Sequence, residues 1–249
     1  MRSFDRLAAG FAPRTRARLI LTLGQRHYRK VLAPLPKIDG PVLVVGSAPQ
    51  SSLPVGVTLE WFLVSINASQ TVASEFGFVE PDLTIFRDSL MIRGDYQDMM
   101  WPLLAGRRTK HLISIIGSAS DRNLAAHLPE KNYQADQITE IGRNVRGAVI
   151  AEATGRYLAT LSGHDGVSNG IFAILLAYKL GASPVVATGF SFSRAGWKQR
   201  PDIKATRPHL IGDTIACQMI RERNLPIYAA DPTFAEESGL RHWTGTPAI

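Results

Sequence analysis

The chain has 249 residues, 45% of them hydrophobic and 20% charged, a balance ordinary for a globular protein able to bury a substantial core. No apolar run approaches about eighteen residues and no apolar segment with a cleavage site opens the chain, so neither a membrane-spanning helix nor secretion is expected. The single cysteine, Cys217, excludes an internal disulfide and a cysteine-based zinc cluster, and a reducing cytoplasm fits these features.

The formal net charge of +7 is concentrated at one end. Residues 1–31 hold Arg2, Arg6, Arg14, Arg16, Arg18, Arg26, Arg29 and Lys30 against one acid, Asp5, which leaves the remainder formally neutral. Within RTRARLILTLGQRHYRKVLAPLP, Leu19, Ile20, Leu23, Val31 and Leu32 recur at roughly helical spacing among arginines. Such a helix can lie on an anionic membrane surface, each basic residue contributing about 1 kcal/mol. It can equally pack on the domain or on a second subunit. No basic patch interleaved with aromatics follows, so nucleic acid is not the expected partner. Pro34, Pro36 and Gly40 break the chain, dividing a basic N-terminal helix and linker (1–38) from one domain (39–249).

The domain opens with PVLVVGSAP (41–49), a valine-rich run that reads as a buried parallel strand feeding a loop. WFLVSINAS (61–69), PDLTIFRDS (81–89) and KHLISIIGS (110–118) read as three more strands, with a short helix between the second and third. GAVIAEATGRYLATL fits strand or helix. Residues 168–181 form a helix ended by Gly181, and PVVATGFSF (184–192) a further strand. HLIGDTIACQMIRERN (209–224) is a helix and LPIYAADP (225–232) a last strand. This alternation predicts an α/β, Rossmann-like parallel sheet with helices on both faces. Ligands of such sheets bind beyond the carboxyl ends of the strands, where strand order reverses. Gly46 and Ser47, Asn67 and Ser69, and Arg87 and Asp88 all follow strands, so a nucleotide site is expected there.

The chain lacks G-x-G-x-x-G, a G-x-x-x-x-G-K-[ST] phosphate loop and a G-x-S-x-G nucleophile elbow. No two histidines stand at i, i+4, and nothing else has metal-ligand spacing. Ser168 and Asn169 are good helix N-caps, and the helix they open offers backbone N–H groups and a favourable dipole to an anion. Gly170 permits close approach to that helix start, and Gly46 and Ser47 either admit a nucleotide or make a tight turn.

SNGIFAILLAYKLGASPVVATGFSF resembles a segment of the small bacterial sialyltransferases that use CMP-sialic acid, where a Ser-Gly pair opens a helix and the next strand ends in G-x-D-F. VLVVGSAPQSSL, SINASQ, EPDLTIF and HLIGDTIACQMIRERNLPIYAADP are similar to further segments of that family, in the same order over about 200 residues. The archaeal-type 6-hydroxymethylpterin diphosphokinases and their bacterial relatives share most of this layout. Both families bind a nucleotide over the sheet edge.

The transferase resemblance implies a metal-independent inverting glycosyltransferase with no cofactor, using a CMP-activated acidic sugar of the sialic acid or Kdo type. A glycolipid or surface-polysaccharide glycan would accept the sugar. His209 matches the position of the family's base, and the unperturbed pKa of histidine as a residue type, about 6.5, suits deprotonating an acceptor hydroxyl. The family's acid is here Ser191 and its following tyrosine is Ser193, while Arg194, Lys198 and Arg200 crowd the next loop. Arg194 and Lys198 are thus the expected stabilisers of the departing phosphate. Gly46, Ser47, Asn67, Ser69, Ser168, Asn169, Gly170 and Ser191 are expected to line the nucleotide and substrate. The diphosphokinase resemblance instead implies ATP and Mg²⁺ held by Asp88; a third reading is a non-catalytic nucleotide- or glycan-binding protein. Residues 1–36 would hold the enzyme peripherally on the inner face of the inner membrane, and an oligomer is compatible with the sequence.

Overall fold

Val42–Val45 is β1, four consecutive residues with no solvent exposure, which requires cover on both faces of the strand. In this computed structural model, which describes residues 28–87, 95–116, 124–156, 158, 166–193, 198 and 209–247, β1 lies inside an eight-stranded sheet. The other strands are β2 (Phe62–Ile66), β3 (Leu83–Arg87), β4 (Arg108–Ile116), β5 (Gln134–Gly142), β6 (Val185–Thr188), β7 (Ile227–Ala229) and β8 (Arg241–His242). Every neighbouring pair is parallel, in the order β5-β4-β3-β2-β1-β6-β7-β8. The chain steps outward from β1 to β5, then returns to the other side of β1 as β6. Strand order therefore reverses between β1 and β6, the position beyond whose carboxyl ends ligands of such sheets bind.

Alternate residues of each strand feed separate cores. Val42, Val44, Val64, Ile66, Leu83, Ile85, Ile113, Val185 and Ile227 pack on one face. Leu43, Val45, Leu63, Val186 and Tyr228 pack on the other, which continues toward β4 through Phe86 and Leu112. Burying each large apolar side chain contributes about 1.5–3 kcal/mol, so register is tightly specified: a one-residue slip would exchange the two sets.

Three short helices cover the second face: α1 (Gln70–Glu75), α2 (Asp95–Leu104) and α3 (Leu124–His127). The first face is covered by α4 (Arg143–Thr154), α5 (Asn169–Lys179), α6 (Leu210–Glu222) and α7 (Pro232–Ser238). The expected Rossmann-like sheet with helices on both faces is therefore observed. Of the undecided stretch (147–161), residues 147–154 belong to the helix α4, whose Val145, Ala148, Val149 and Ala153 repeat at three- and four-residue spacing toward the core. In α5, seven consecutive residues, Ile171–Ala177, are buried, so it is a central helix without a wet face.

Two strands escape the sequence pattern. Only Ile141 is buried along β5, an edge strand of otherwise polar composition, and β8 has two residues. The described end of the basic N-terminal segment packs on the domain. Tyr28, Leu35 and Ile38 are buried in the first core, and the Tyr28 hydroxyl donates to Glu152 of α4, which also pairs with Lys179 of α5 at 3.2 Å. Residues 1–27, which carry most of the expected amphipathic helix, lie outside the described residues. Among the described residues, no helix is long and apolar enough to cross a membrane.

Candidate active site

At the carboxyl ends of β1 and β6 two glycines cross. The Gly46 N–H donates to the Thr188 carbonyl and the Ala48 N–H to the Gly189 carbonyl, both at 2.8 Å. A Cβ on Gly46 would stand 2.2 Å from the Gly189 oxygen, and Gly189 itself has φ +74°. Gly46 is thus required where the two loops meet. Asp231, following β7, accepts the Gly189 N–H at 2.9 Å and ties the third strand end to the crossing.

The opening of α5 is held from two sides by side chains acting on three consecutive residues. His209 Nδ1 lies 2.9 Å from the Gly166 carbonyl, Arg146 Nη2 donates to the Val167 carbonyl, and the Ser168 N–H donates to Asp213 Oδ1 at 2.7 Å. His209 and Asp213 come from the start of α6, and Arg146 from the first turns of α4. Ser168 also caps α5, its hydroxyl accepting the Ile171 N–H at 3.2 Å. The N–H groups of Asn169 and Gly170 belong to the first turn, which a helix cannot pair internally. Space above Gly170 is taken by Phe190, whose ring would lie 2.6 Å from a Cβ there.

This arrangement selects a histidine tautomer. Because a carbonyl only accepts, Nδ1 of His209 carries the proton, and the basic lone pair resides on Nε2. Asp213 is almost fully buried, with 1% of its surface exposed, yet sits within electrostatic range of Arg146. Desolvation is the main cause that pushes Arg146 down to about 10; Asp213 opposes the shift, whereas Arg87 and Arg143 add to it.

Asn67 follows β2 with φ +51°, a left-handed conformation that asparagine tolerates better than most residues. Its buried Oδ1 has no partner among the described residues. Ser69 is buried differently: its hydroxyl donates to the Val45 carbonyl at 2.5 Å and accepts the Ile66 N–H at 2.8 Å. It ties the carboxyl end of β1 to that of β2.

Ser191 is also buried, and Glu237 of α7 takes the role of local organiser. One Glu237 oxygen accepts the Ser191 hydroxyl at 3.2 Å and the Phe192 N–H at 2.6 Å; the other accepts the Ser193 N–H at 3.3 Å and the Ser193 hydroxyl. Burial works against the Glu237 charge, but these four donors outweigh it and hold the carboxyl below its usual range. Lys198 is joined to the site by its backbone, whose N–H donates to the Ser47 carbonyl at 2.8 Å. Its ammonium pairs with Glu75 and lies over the Phe76 ring, so it faces α1. Arg194, Arg200 and Asp88 lie outside the described residues.

No family model matches this chain, and no curated protein matches it either. Solved structures do. A sialyltransferase CST-II in complex with trisaccharide acceptor and CMP aligns with a TM-score of 0.52 at 11% identity, over 85% of this chain and 89% of that one. The monofunctional alpha-2,3-sialyltransferase Cst-I from Campylobacter jejuni aligns with a TM-score of 0.52 at 12% identity, over 84% and 82%. The chain has a sialyltransferase-like fold.

Within that sialyltransferase-like fold, the structure gathers Ser168, Asn169, Gly170 and His209 at one helix start, and Gly46, Ser47, Ser191 and the Lys198 backbone around the β1–β6 crossing. Sequence reading missed Arg146, Asp231 and Glu237. Arg146 stands one residue before the undecided stretch GAVIAEATGRYLATL, outside every expected element, so no face was assigned to it. Asp231 stood at the end of an expected strand as an ordinary strand terminator. Glu237 lies in α7, a helix with no signal beyond the Asp-Pro at its start.

Proposed function

We propose that this chain is a metal-independent inverting glycosyltransferase that moves an acidic sugar from a CMP-activated donor to a glycan hydroxyl. The observation that carries the reading is the His209 ring, fixed by Gly166 so that its Nε2 lone pair is basic, beside the helix start at Ser168. Such a histidine accepts the proton of an acceptor hydroxyl as that oxygen attacks the anomeric carbon. In a single displacement the bond from anomeric carbon to phosphate oxygen breaks on the opposite face, inverting the centre, and CMP leaves with the bonding pair. The charge growing on its phosphate is met by the first-turn N–H groups of α5. Asn67 presents its amide to the nucleotide, and Ser47 approaches it from the loop after β1. Arg194 is assigned the role of a charge at the phosphate, and Lys198 is held beside Ser47 by its backbone N–H. The solved structure with CMP and a trisaccharide acceptor bound supports this donor and acceptor class through the shared fold.

The acceptor is a glycolipid or surface polysaccharide, and residues 1–27 bring the enzyme to the inner face of the membrane that carries it. Replacing His209 with Ala is expected to leave CMP affinity within about twofold and to lower transfer or donor hydrolysis by about 10²–10⁴-fold. Rate measurements with CMP-N-acetylneuraminic acid and CMP-Kdo check this. Full activity in His209→Ala, with either donor, overturns the assignment of the base.

A further inference from the structure

Arg146 is a cation whose surroundings do not complete it. Its Nη2 donates to a neutral carbonyl, that of Val167, and its guanidinium carbon stands 5.4 Å from the centre of the Phe172 ring. Its Nε is buried and has no partner among the described residues. The carboxylate that acts on it, Asp213, uses Oδ1 to hold the Ser168 N–H. Two further arginines lie close enough to repel it: Arg87, exposed at the carboxyl end of β3, and Arg143, exposed at the first position of α4. Arg143 and Arg146 are three residues apart on one helix and so share a face. Like charges gathered beside a partly desolvated guanidinium are unfavourable unless an anion joins them. The amino ends of α4 and α5, which meet here through Arg146 and Val167, add partial positive charge of the same sign.

We infer that Arg146, Arg87 and Arg143 form a subsite for a second oxyanion, a carboxylate or phosphate borne by a sugar substrate, in addition to the phosphate of the nucleotide. The cluster lies on the β3–β5 side of the sheet, away from the reversal between β1 and β6, so it reaches what extends beyond the nucleotide. A guanidinium fork suits either anion. The oxyanion comes from one of two sources, the donor sugar's own acid group or an acidic acceptor. The assignment rests on the proposed transferase reading for the sugar, but the anion chemistry stands on the arginines alone.

Equilibrium titrations at low salt separate the sources, comparing the unmodified chain with Arg146→Gln. Titration with CMP measures whatever Arg146→Gln loses through its hold on the Val167 carbonyl, and the acidic ligands are read relative to that loss. CMP-N-acetylneuraminic acid, titrated with His209→Ala present to suppress turnover, reports the donor arm. Sialyllactose compared with lactose, in the presence of CMP, reports the acceptor arm. Arg146→Gln is expected to weaken one of the acidic ligands by about tenfold, the loss of a charge-assisted hydrogen bond. Equal losses for CMP and the acids would show that Arg146 merely holds α5, and unchanged acids would show no subsite; either overturns the inference and leaves the transferase reading standing. If Arg146→Gln fails to fold, the exposed Arg87→Gln and Arg143→Gln carry the same test: each should weaken the acidic ligand by about threefold, an effect that fades with salt, and no change refutes it. Should CMP fail to bind the unmodified chain, the transferase reading falls. Titration with free N-acetylneuraminic acid and inorganic phosphate then decides the subsite, by binding that the arginine substitutions abolish or by no binding at all.

Discussion

Asn67 carries two features that neighbouring residues do not share, a left-handed backbone and a buried amide oxygen without a partner among the described residues. Each costs folding free energy of order 1–3 kcal/mol, and together they mark a residue retained for something other than stability. Glu237 shows the opposite case, a carboxylate fully used by the loop it organises. Because its folded pKa lies below the ordinary carboxylate value, it stabilises the protein fully above that value. The contribution is lost as pH falls through the folded pKa. Glu237→Gln should therefore lower the urea midpoint at pH 7, and the gap from the unmodified chain should narrow toward pH 3. A gap independent of pH would show that the charge contributes nothing. Positions at element ends were legible in the sequence, since Asn67 follows an expected strand and Ser168 and His209 open expected helices. Whether a hydroxyl was available was not: Ser69 and Ser191 look alike in sequence, and only folding reveals that both are committed to internal partners.

At the level of elements, apolar runs with β-branched residues marked the central strands to within a few residues, because burial on both faces demands continuous hydrophobicity. β5 departs from this rule as an edge strand, wet along most of its length, and its polar residues carry no strand signature. α4 was ambiguous because its small residues, Gly147, Ala148, Ala151 and Ala153, satisfy helical and extended patterns about equally. The β1–β6 crossing depends on the absence of side chains at two points. Gly46→Ala forces a methyl group onto the Gly189 carbonyl and is expected to destabilise the fold by about 2–3 kcal/mol. Urea unfolding measures this directly; an unchanged midpoint would mean that the loops separate freely and that their crossing does not position the site.

Over the whole molecule, the basic excess and the site belong to different parts of the chain, and the boundary between them is informative. The expected division at residue 38 separates composition, whereas packing begins by Tyr28, whose ring and hydroxyl are fastened to α4. A deletion of 1–27 therefore keeps the core intact while removing six of the basic residues in 1–31. This deletion should leave thermal stability nearly unchanged and abolish sedimentation with vesicles containing anionic lipid; undiminished sedimentation would contradict the membrane assignment. The parallel sheet with helices on both faces was readable from alternating elements, but the strand order and the convergence of α4 and α6 on Gly166–Ser168 were not, since they join residues far apart in the chain. The central claim is a CMP site built over the carboxyl ends of the central strands with Asn67 reading the nucleotide, and isothermal titration tests it most directly. The unmodified chain should bind CMP more tightly than AMP or magnesium-ATP. Asn67→Gly, which keeps the left-handed turn and loses only the amide, should weaken CMP by about tenfold at an unchanged melting temperature. No binding of CMP, or a preference for magnesium-ATP, would contradict it.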